Sequence, residues 1–166
     1  TVIPNPKLGL DDVGIPKKMG LTIYGPFVVK RLVQGGVSPL DARKMVKDGE
    51  DRALDALQLE IEERPVLLSR APSLHKFSMI GLKPKLVDGK AIEINPLVVA
   101  GLNMDFDGDT AGVHVPVSED ARRETLTKML PSQALVSPRD EFVIHGPSKE
   151  TVLGIYKLTK PEGEPL

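Results

Sequence analysis

The chain has 166 residues, enough for one domain with an appendage and for a core that needs no covalent staples. Hydrophobic residues make up 40% and aromatics 4%, with no Trp and no Cys, so the core rests on Val, Leu, Ile and Ala, and disulfides, thiolate zinc sites and cysteine catalysis are excluded. The net charge of −1 conceals blocks of sign: residues 1–48 carry eight Lys/Arg against four acids, 49–63 one Arg against six acids, 64–90 six basic groups against Asp88, and 91–120 six acids with no Lys or Arg. Such blocks are either solvated surface or, where they meet in space, a place for a cation and a polyanion together. No apolar run approaches the ~20 residues of a membrane span. The opening TVIPNPKLG is not a secretory signal, and a soluble, cytoplasmic protein is expected. The absence of an initiator Met reads as a processed or excised piece.

Fifteen Gly and fifteen Pro exclude a long helical bundle and favour short elements. Residues 1–25 read as turns and short extended pieces, with Lys17 and Lys18 held out on a GIPKKMG loop (14–20), either for nucleic-acid phosphates or for water. A helix is expected over 26–33, stopped by Gly35-Gly36. Ser38 caps the next, with Pro39 in first position and Asp41 three residues after the cap, and Gly49 ends it. Residues 50–63 form a second amphipathic helix, with Leu54, Leu57 and Ile61 at helical spacing, ending ahead of Arg64-Pro65.

The texture changes at Pro65. VLLS (66–69), KPKLV (83–87), AIEIN (91–95), LVVAGL (97–102) and AGVHVPV (111–117) are short apolar runs cut by turns, a compact β structure of barrel type. Asp88-Gly89 predicts a hairpin between the second and third runs. Ser118 caps a helix over 119–130 closed by Pro131. Residues 134–145 read as a hairpin with Arg139-Asp140 near its tip, Ser148 caps a last helix to about Lys157, and PEGEPL is expected to be disordered. The fold class is therefore mainly β with helical insertions, α+β.

The stretch richest in chemistry is LVVAGLNMDFDGDTAGVHV (97–115). Asp105, Asp107 and Asp109 stand at i, i+2 and i+4, one step after Asn103 and Met104. In a flat strand they would share a face about 7 Å apart. Gly108 allows a turn that lets them converge. Two carboxylates about 4 Å apart repel by roughly 4 kcal/mol at an effective dielectric of 20, so three together call for a hard cation. Oxygen ligands select Mg²⁺, Mn²⁺ or Ca²⁺. An EF-hand fails, because its twelfth position would be His114 where a bidentate Glu is required. A phosphatase-type Asp-x-Asp with Asp105 as nucleophile and Asp107 as acid/base fits the lead-in, but the third Asp would crowd it with charge. An acidic turn that keeps an edge solvated is the remaining alternative.

A second stretch, ERPVLLSRAPSLHKFSM (63–79), places Arg70 directly after a strand, and a guanidinium suits a fork-shaped contact with phosphate or ribose oxygens. A surface pair with an acid is its plainer role. His75 and His114 read as structural.

Taken in order, these stretches resemble one family. NMDFDGD (103–109) is similar to the Asn-Ala-Asp-Phe-Asp-Gly-Asp signature of the largest subunit of multisubunit RNA polymerases, called β′ in bacteria. RPVLLSRAPSLHKF (64–77), GIPKKM (14–19) and HGPSKETVLGIYKLT (145–159) resemble the bacterial form in the same order. Met104 stands where Ala is usual, and Ser73 where Thr is usual; neither removes a ligand.

The resemblance implies a double-psi β-barrel. Residues 1–25 would be its first segment, 26–63 a helical insertion, 64–117 the catalytic core, 118–160 a closing helix-hairpin-helix and 161–166 the tail. It implies that Asp105, Asp107 and Asp109 chelate a catalytic Mg²⁺, for which Mn²⁺ can substitute. Arg70 and Asn103 would read ribose hydroxyls of a nucleotide, and Lys17 and Lys18 would line the nucleic-acid path. The implied activity is DNA-directed nucleotidyl transfer to an RNA 3′ end. The implied partners are a second large, β-type subunit, other polymerase subunits, template DNA, RNA product and nucleoside triphosphates, with no membrane. An isolated chain would be inactive, because half the cleft lies on the other barrel. A metal-dependent phosphohydrolase using Asp105 and Asp107, or a structural barrel without activity, are the alternatives.

Overall fold

The computed structural model describes residues 1–72, 78–136, 143–147 and 150–160. His75, Ser73, the Arg139-Asp140 tip, Ser148 and the 161–166 tail lie outside the described residues. Two strands open the chain, β1 (Val2–Pro4) and β2 (Asp12–Pro16). Four helices follow: α1 (Lys17–Ile23), α2 (Gly25–Gln34), α3 (Pro39–Asp48) and α4 (Asp51–Glu63). Then come β3 (Val66–Ser69), β4 (Met79–Val87), β5 (Ile92–Ile94), a 3-10 turn at Pro96–Val98 and β6 (Gly112–His114). The last elements are α5 (Glu119–Lys128), a 3-10 turn at Pro131–Gln133 and α6 (Glu150–Thr159).

Local chemistry sets these bounds. Ser38 Oγ accepts from the Asp41 N–H at 3.2 Å and opens α3, and Gly49 at φ 71° closes it. Ser118 Oγ does the same for α5, accepting from the Ala121 N–H at 3.2 Å. Arg64 is already extended ahead of Pro65, which ends α4.

The sheet is mixed, with strand order β1-β5-β2-β4-β3-β6. β1 runs parallel to β5 and β2 parallel to β4; β2–β5, β3–β4 and β3–β6 are antiparallel. The two ends of this order meet where the Val2 N–H donates to the Asp109 carbonyl at 3.2 Å. The sheet thereby curls into an α+β fold of double-psi barrel type. Val13, Ile15, Val66, Leu68, Leu82, Ile92 and Ile94 fill its interior, against Tyr24, Val28 and Leu57 of the helical layer, all essentially inaccessible to solvent. Each such side chain contributes about 1.5–3 kcal/mol by leaving water.

Helices and barrel are joined by ions as well as apolar contact. Glu60 of α4 is buried, and its two oxygens accept from Arg31 Nε at 2.7 Å and Arg64 Nε at 3.1 Å. Arg31 reaches Glu63 too, at 2.9 Å. The Arg64 guanidinium stacks over Phe27 at 4.3 Å, and the Arg64 carbonyl accepts from the Tyr24 hydroxyl at 2.6 Å. Arg64 thus fixes the entry to β3.

Several expectations are corrected. Lys17 and Lys18 do not sit in a loop; they begin α1, whose buried Gly20 lies so close to Leu57 that a Cβ would stand 3.0 Å from its Cδ2. Residues 97–102 form the end of a 3-10 turn and further turns, not a strand, because Asn95 caps Pro96–Val98 with its side-chain oxygen on the Leu97 N–H at 2.9 Å. The Asp88-Gly89 turn does not make a hairpin, since β2 lies between β4 and β5 and pairs with both. Gly14 permits this: a Cβ there would meet Val87 Cγ1 at 2.8 Å and Glu93 Cβ at 2.9 Å. The 83–87 run is the second half of a nine-residue strand. Its first half pairs with β3 and its second with β2, so Pro84 falls where β3 has ended and a missing N–H breaks no ladder on that side. His114, expected to be structural, is exposed on β6.

Candidate metal centre

The acidic turn is anchored on both sides. The Leu102 and Met104 N–H groups both donate to the Val99 carbonyl, at 3.2 and 3.1 Å, and the Asn103 N–H donates to the Ala100 carbonyl at 3.2 Å. Leu102 and Met104 are buried and Phe106 packs on the same core. The residue that departs from the usual Ala is therefore part of the buried core. Asp105 and Asp109 are half-buried and Asp107 is exposed. Gly108 takes φ 121°, open to glycine, with no atom within 4 Å of where a Cβ would be. Its role is conformational, as the sequence suggested. One carboxylate oxygen from each of Asp105, Asp107 and Asp109 lies within 4.8 Å of the others. The Asp105 N–H donates to Asp109 Oδ2 at 3.2 Å, which closes the turn on itself. Three convergent hard oxygens match a divalent cation such as Mg²⁺ or Mn²⁺ in donor chemistry.

Arg70 arrives from the sheet. Ser69 of β3 pairs with Gly112 of β6, so the next residue stands beside the end of the acidic turn. Its Nε donates to Asp109 Oδ2 at 2.9 Å and its Nη2 to Asp109 Oδ1 at 3.4 Å. The expected strand-end position holds; the partner is an acid of the triad. Asn103 stands on the same turn in left-handed backbone at φ 49°, exposed, and no hydrogen bond joins it to Arg70 among the described residues. Lys17 forms an exposed pair with Asp88 at 2.6 Å, which holds the Asp88 carboxyl below its usual range. Lys18 is exposed beside it, and neither lysine contacts the triad among the described residues.

Two supports were missed in the sequence. His145 is buried against Gly101, and neither ring nitrogen reaches a partner at hydrogen-bonding distance among the described residues. Burial lowers its pKa, against the opposing charge of Asp11 and the Val98 backbone. Gly101 lets the chain lie directly on it: a Cβ there would stand 2.5 Å from His145 Cε1 and 2.9 Å from Ile144 Cγ2. Nothing in the local sequence marked His145 as buried, since Val143 two residues earlier is itself exposed.

Residues 41–130, more than half of the chain, match the family described as RNA polymerase Rpb1, domain 2. The chain belongs to this family. It is 41% identical to DNA-directed RNA polymerase subunit beta′ of Chlorobium phaeobacteroides (strain DSM 266), over 99% of this chain and 11% of that subunit. It is 42% identical to the same subunit of Chlorobium limicola over 96% of this chain, and 41% identical to that of Tropheryma whipplei over 95%. The chain spans about 11% of the length of the first of these relatives. Family membership favours a polymerase domain over a phosphohydrolase. No helix among the described residues is long and apolar enough to cross a membrane.

Proposed function

We propose that this chain is the catalytic-centre domain of a DNA-directed RNA polymerase, in which Asp105, Asp107 and Asp109 hold the active-site Mg²⁺. The observation that carries the reading is the convergence of the three carboxylates within 4.8 Å on one anchored turn. When bound, such an ion supplies Lewis-acid stabilisation of phosphoryl charge and lowers the pKa of an attacking ribose hydroxyl. The protein's own share is positioning. The turn presents its three carboxylates from a rigid core, because Met104 and Leu102 are locked beneath it.

Arg70 and Asn103 flank the triad and offer guanidinium and amide donors to ribose hydroxyls. A deoxy sugar would leave one of these donors unmatched, a loss of about 1–3 kcal/mol where the group is desolvated. Lys17 and Lys18, at the start of α1, lie on the nucleic-acid path. A second large subunit completes the cleft, and DNA, RNA and nucleoside triphosphates are the ligands of the assembled enzyme. The chain alone does not polymerise in this account.

Titration of the chain with Mn²⁺, followed by the loss of the free-ion electron paramagnetic resonance signal, tests the reading. Each of Asp105→Asn, Asp107→Asn and Asp109→Asn is expected to weaken binding by at least about tenfold, because ligand charge sets affinity for hard cations. Binding that all three variants leave unchanged would place the ion elsewhere.

A further inference from the structure

We propose that Arg70 is a built-in counter-cation of the acidic turn, which a divalent ion must displace from Asp109, and whose release hands the guanidinium over to substrate. The inference rests on the metal-binding reading above and adds an order of events to it.

Both oxygens of Asp109 are engaged by one guanidinium, at 2.9 and 3.4 Å. The closer oxygen, Oδ2, also accepts the Asp105 N–H at 3.2 Å. Three of the roughly four in-plane acceptor sites of this carboxylate are thus directed at nitrogen donors. It can ligate an ion only by turning away from Arg70 or by sharing an oxygen with it. Sharing sets a positive guanidinium beside a divalent ion across a single carboxylate. The Arg70 backbone is held by the pairing of Ser69 with Gly112 and by its own N–H on the Ser78 carbonyl at 3.4 Å, so only its side chain can follow a turning Asp109. The Asp109 backbone is fixed too, by the Val2 N–H on its carbonyl. Ion and arginine therefore compete for one side chain between two immobile backbones.

The competition has consequences in both directions. Without an ion, Arg70 offsets part of the like-charge repulsion and keeps Asp109 folded over the turn. With an ion, the carboxylates are satisfied and the guanidinium is released at the mouth of the site. A donor group would then be available for a ribose or phosphate oxygen only after the metal has bound. By linkage, removing Arg70 must strengthen ion binding by the factor that the ion weakens the Arg70–Asp109 pair. Arg70 is thus a positioning residue for the triad.

The test uses the full chain and Mg²⁺ or Mn²⁺ alone. In the unaltered protein, ¹⁵N-detected spectra of arginine side chains should show the Arg70 Nε–H slowly exchanging without Mg²⁺ and exposed to exchange once Mg²⁺ is added. Arg70→Gln should bind Mn²⁺ about tenfold more tightly, within the usual range of such couplings. In Asp109→Asn the Arg70 signal should be released from the outset. If Mn²⁺ binds but Arg70→Gln binds it equally or more weakly, or the Nε–H signal ignores Mg²⁺, the exchange is refuted while the metal site stands. If no ion binds either protein at the turn, both readings fall.

Discussion

Among the described residues, an arginine–carboxylate cluster in the helical layer and another at the acidic turn are built differently. In the helical layer Glu60 accepts from two arginines, with its side chain only 8% exposed, and all three residues stand on or beside α2 and α4. At the acidic turn three carboxylates crowd within 4.8 Å, and Arg70 engages Asp109 through two nitrogens. The first cluster is closed: Arg31 and Arg64 are matched by Glu60 and Glu63, and Glu60 is buried between them. The second gathers three acids on a loop whose backbone is pinned while its side chains reach solvent. A buried carboxylate with two arginines is a fastening. A partly exposed acidic trio, one member of which holds an arginine, is the feature on which the metal reading rests.

Glu60→Ala separates the two most sharply. Loss of the shared acceptor leaves Arg31 and Arg64 facing each other and should cost about 2–4 kcal/mol in urea unfolding, moderated because both guanidiniums still reach water. Asp109→Asn at the turn should cost under about 1 kcal/mol, because it also removes like-charge repulsion. Equal losses would erase the contrast.

Gly101→Ala sharpens it from the other side. Its new methyl would press on His145 and Ile144, at an expected cost of about 1–3 kcal/mol. The displaced turn should also bind Mn²⁺ more weakly, whereas Glu60→Ala should leave affinity unchanged in the folded protein. Calorimetry of the two variants side by side checks both statements.

The smallest effect concerns pH. Burial lowers the His145 pKa, so the folded chain takes up its proton less readily than a free imidazole, whose ordinary value is 6.5. The unfolded state therefore binds more protons below pH 6.5, and stability falls as pH drops from there toward the lower folded value. His145→Phe should flatten the melting temperature between pH 6.5 and 5 and leave the region above it unchanged. A wild-type melting curve already flat in that window would show that the fold does not lower the proton affinity of His145.

Much of this was legible one segment at a time. Ser38, Gly49, Pro65 and Ser118 mark real boundaries because capping and proline sterics are local. Asp105, Asp107, Asp109 and Gly108 identified the turn for the same reason. Relations between distant strands were not legible. Asp88-Gly89 is a genuine turn, yet nothing within it reveals that β2, some 70 residues earlier, slots between its arms through Gly14. The Arg70–Asp109 pair spans 39 residues and exists only through the β3–β6 register. Glu60 was readable in hindsight: an acid between Leu57 and Ile61 on the apolar stripe of α4 calls for a buried cation.

The central claim is that one pinned turn gathers three carboxylates around a divalent ion. Crystals of the chain soaked in Mn²⁺ and measured at the manganese edge address it directly. The account predicts a single anomalous peak bonded to an oxygen from each of Asp105, Asp107 and Asp109. A map with no peak at the turn, or with manganese held by other residues while these three carboxylates face bulk water, would contradict it.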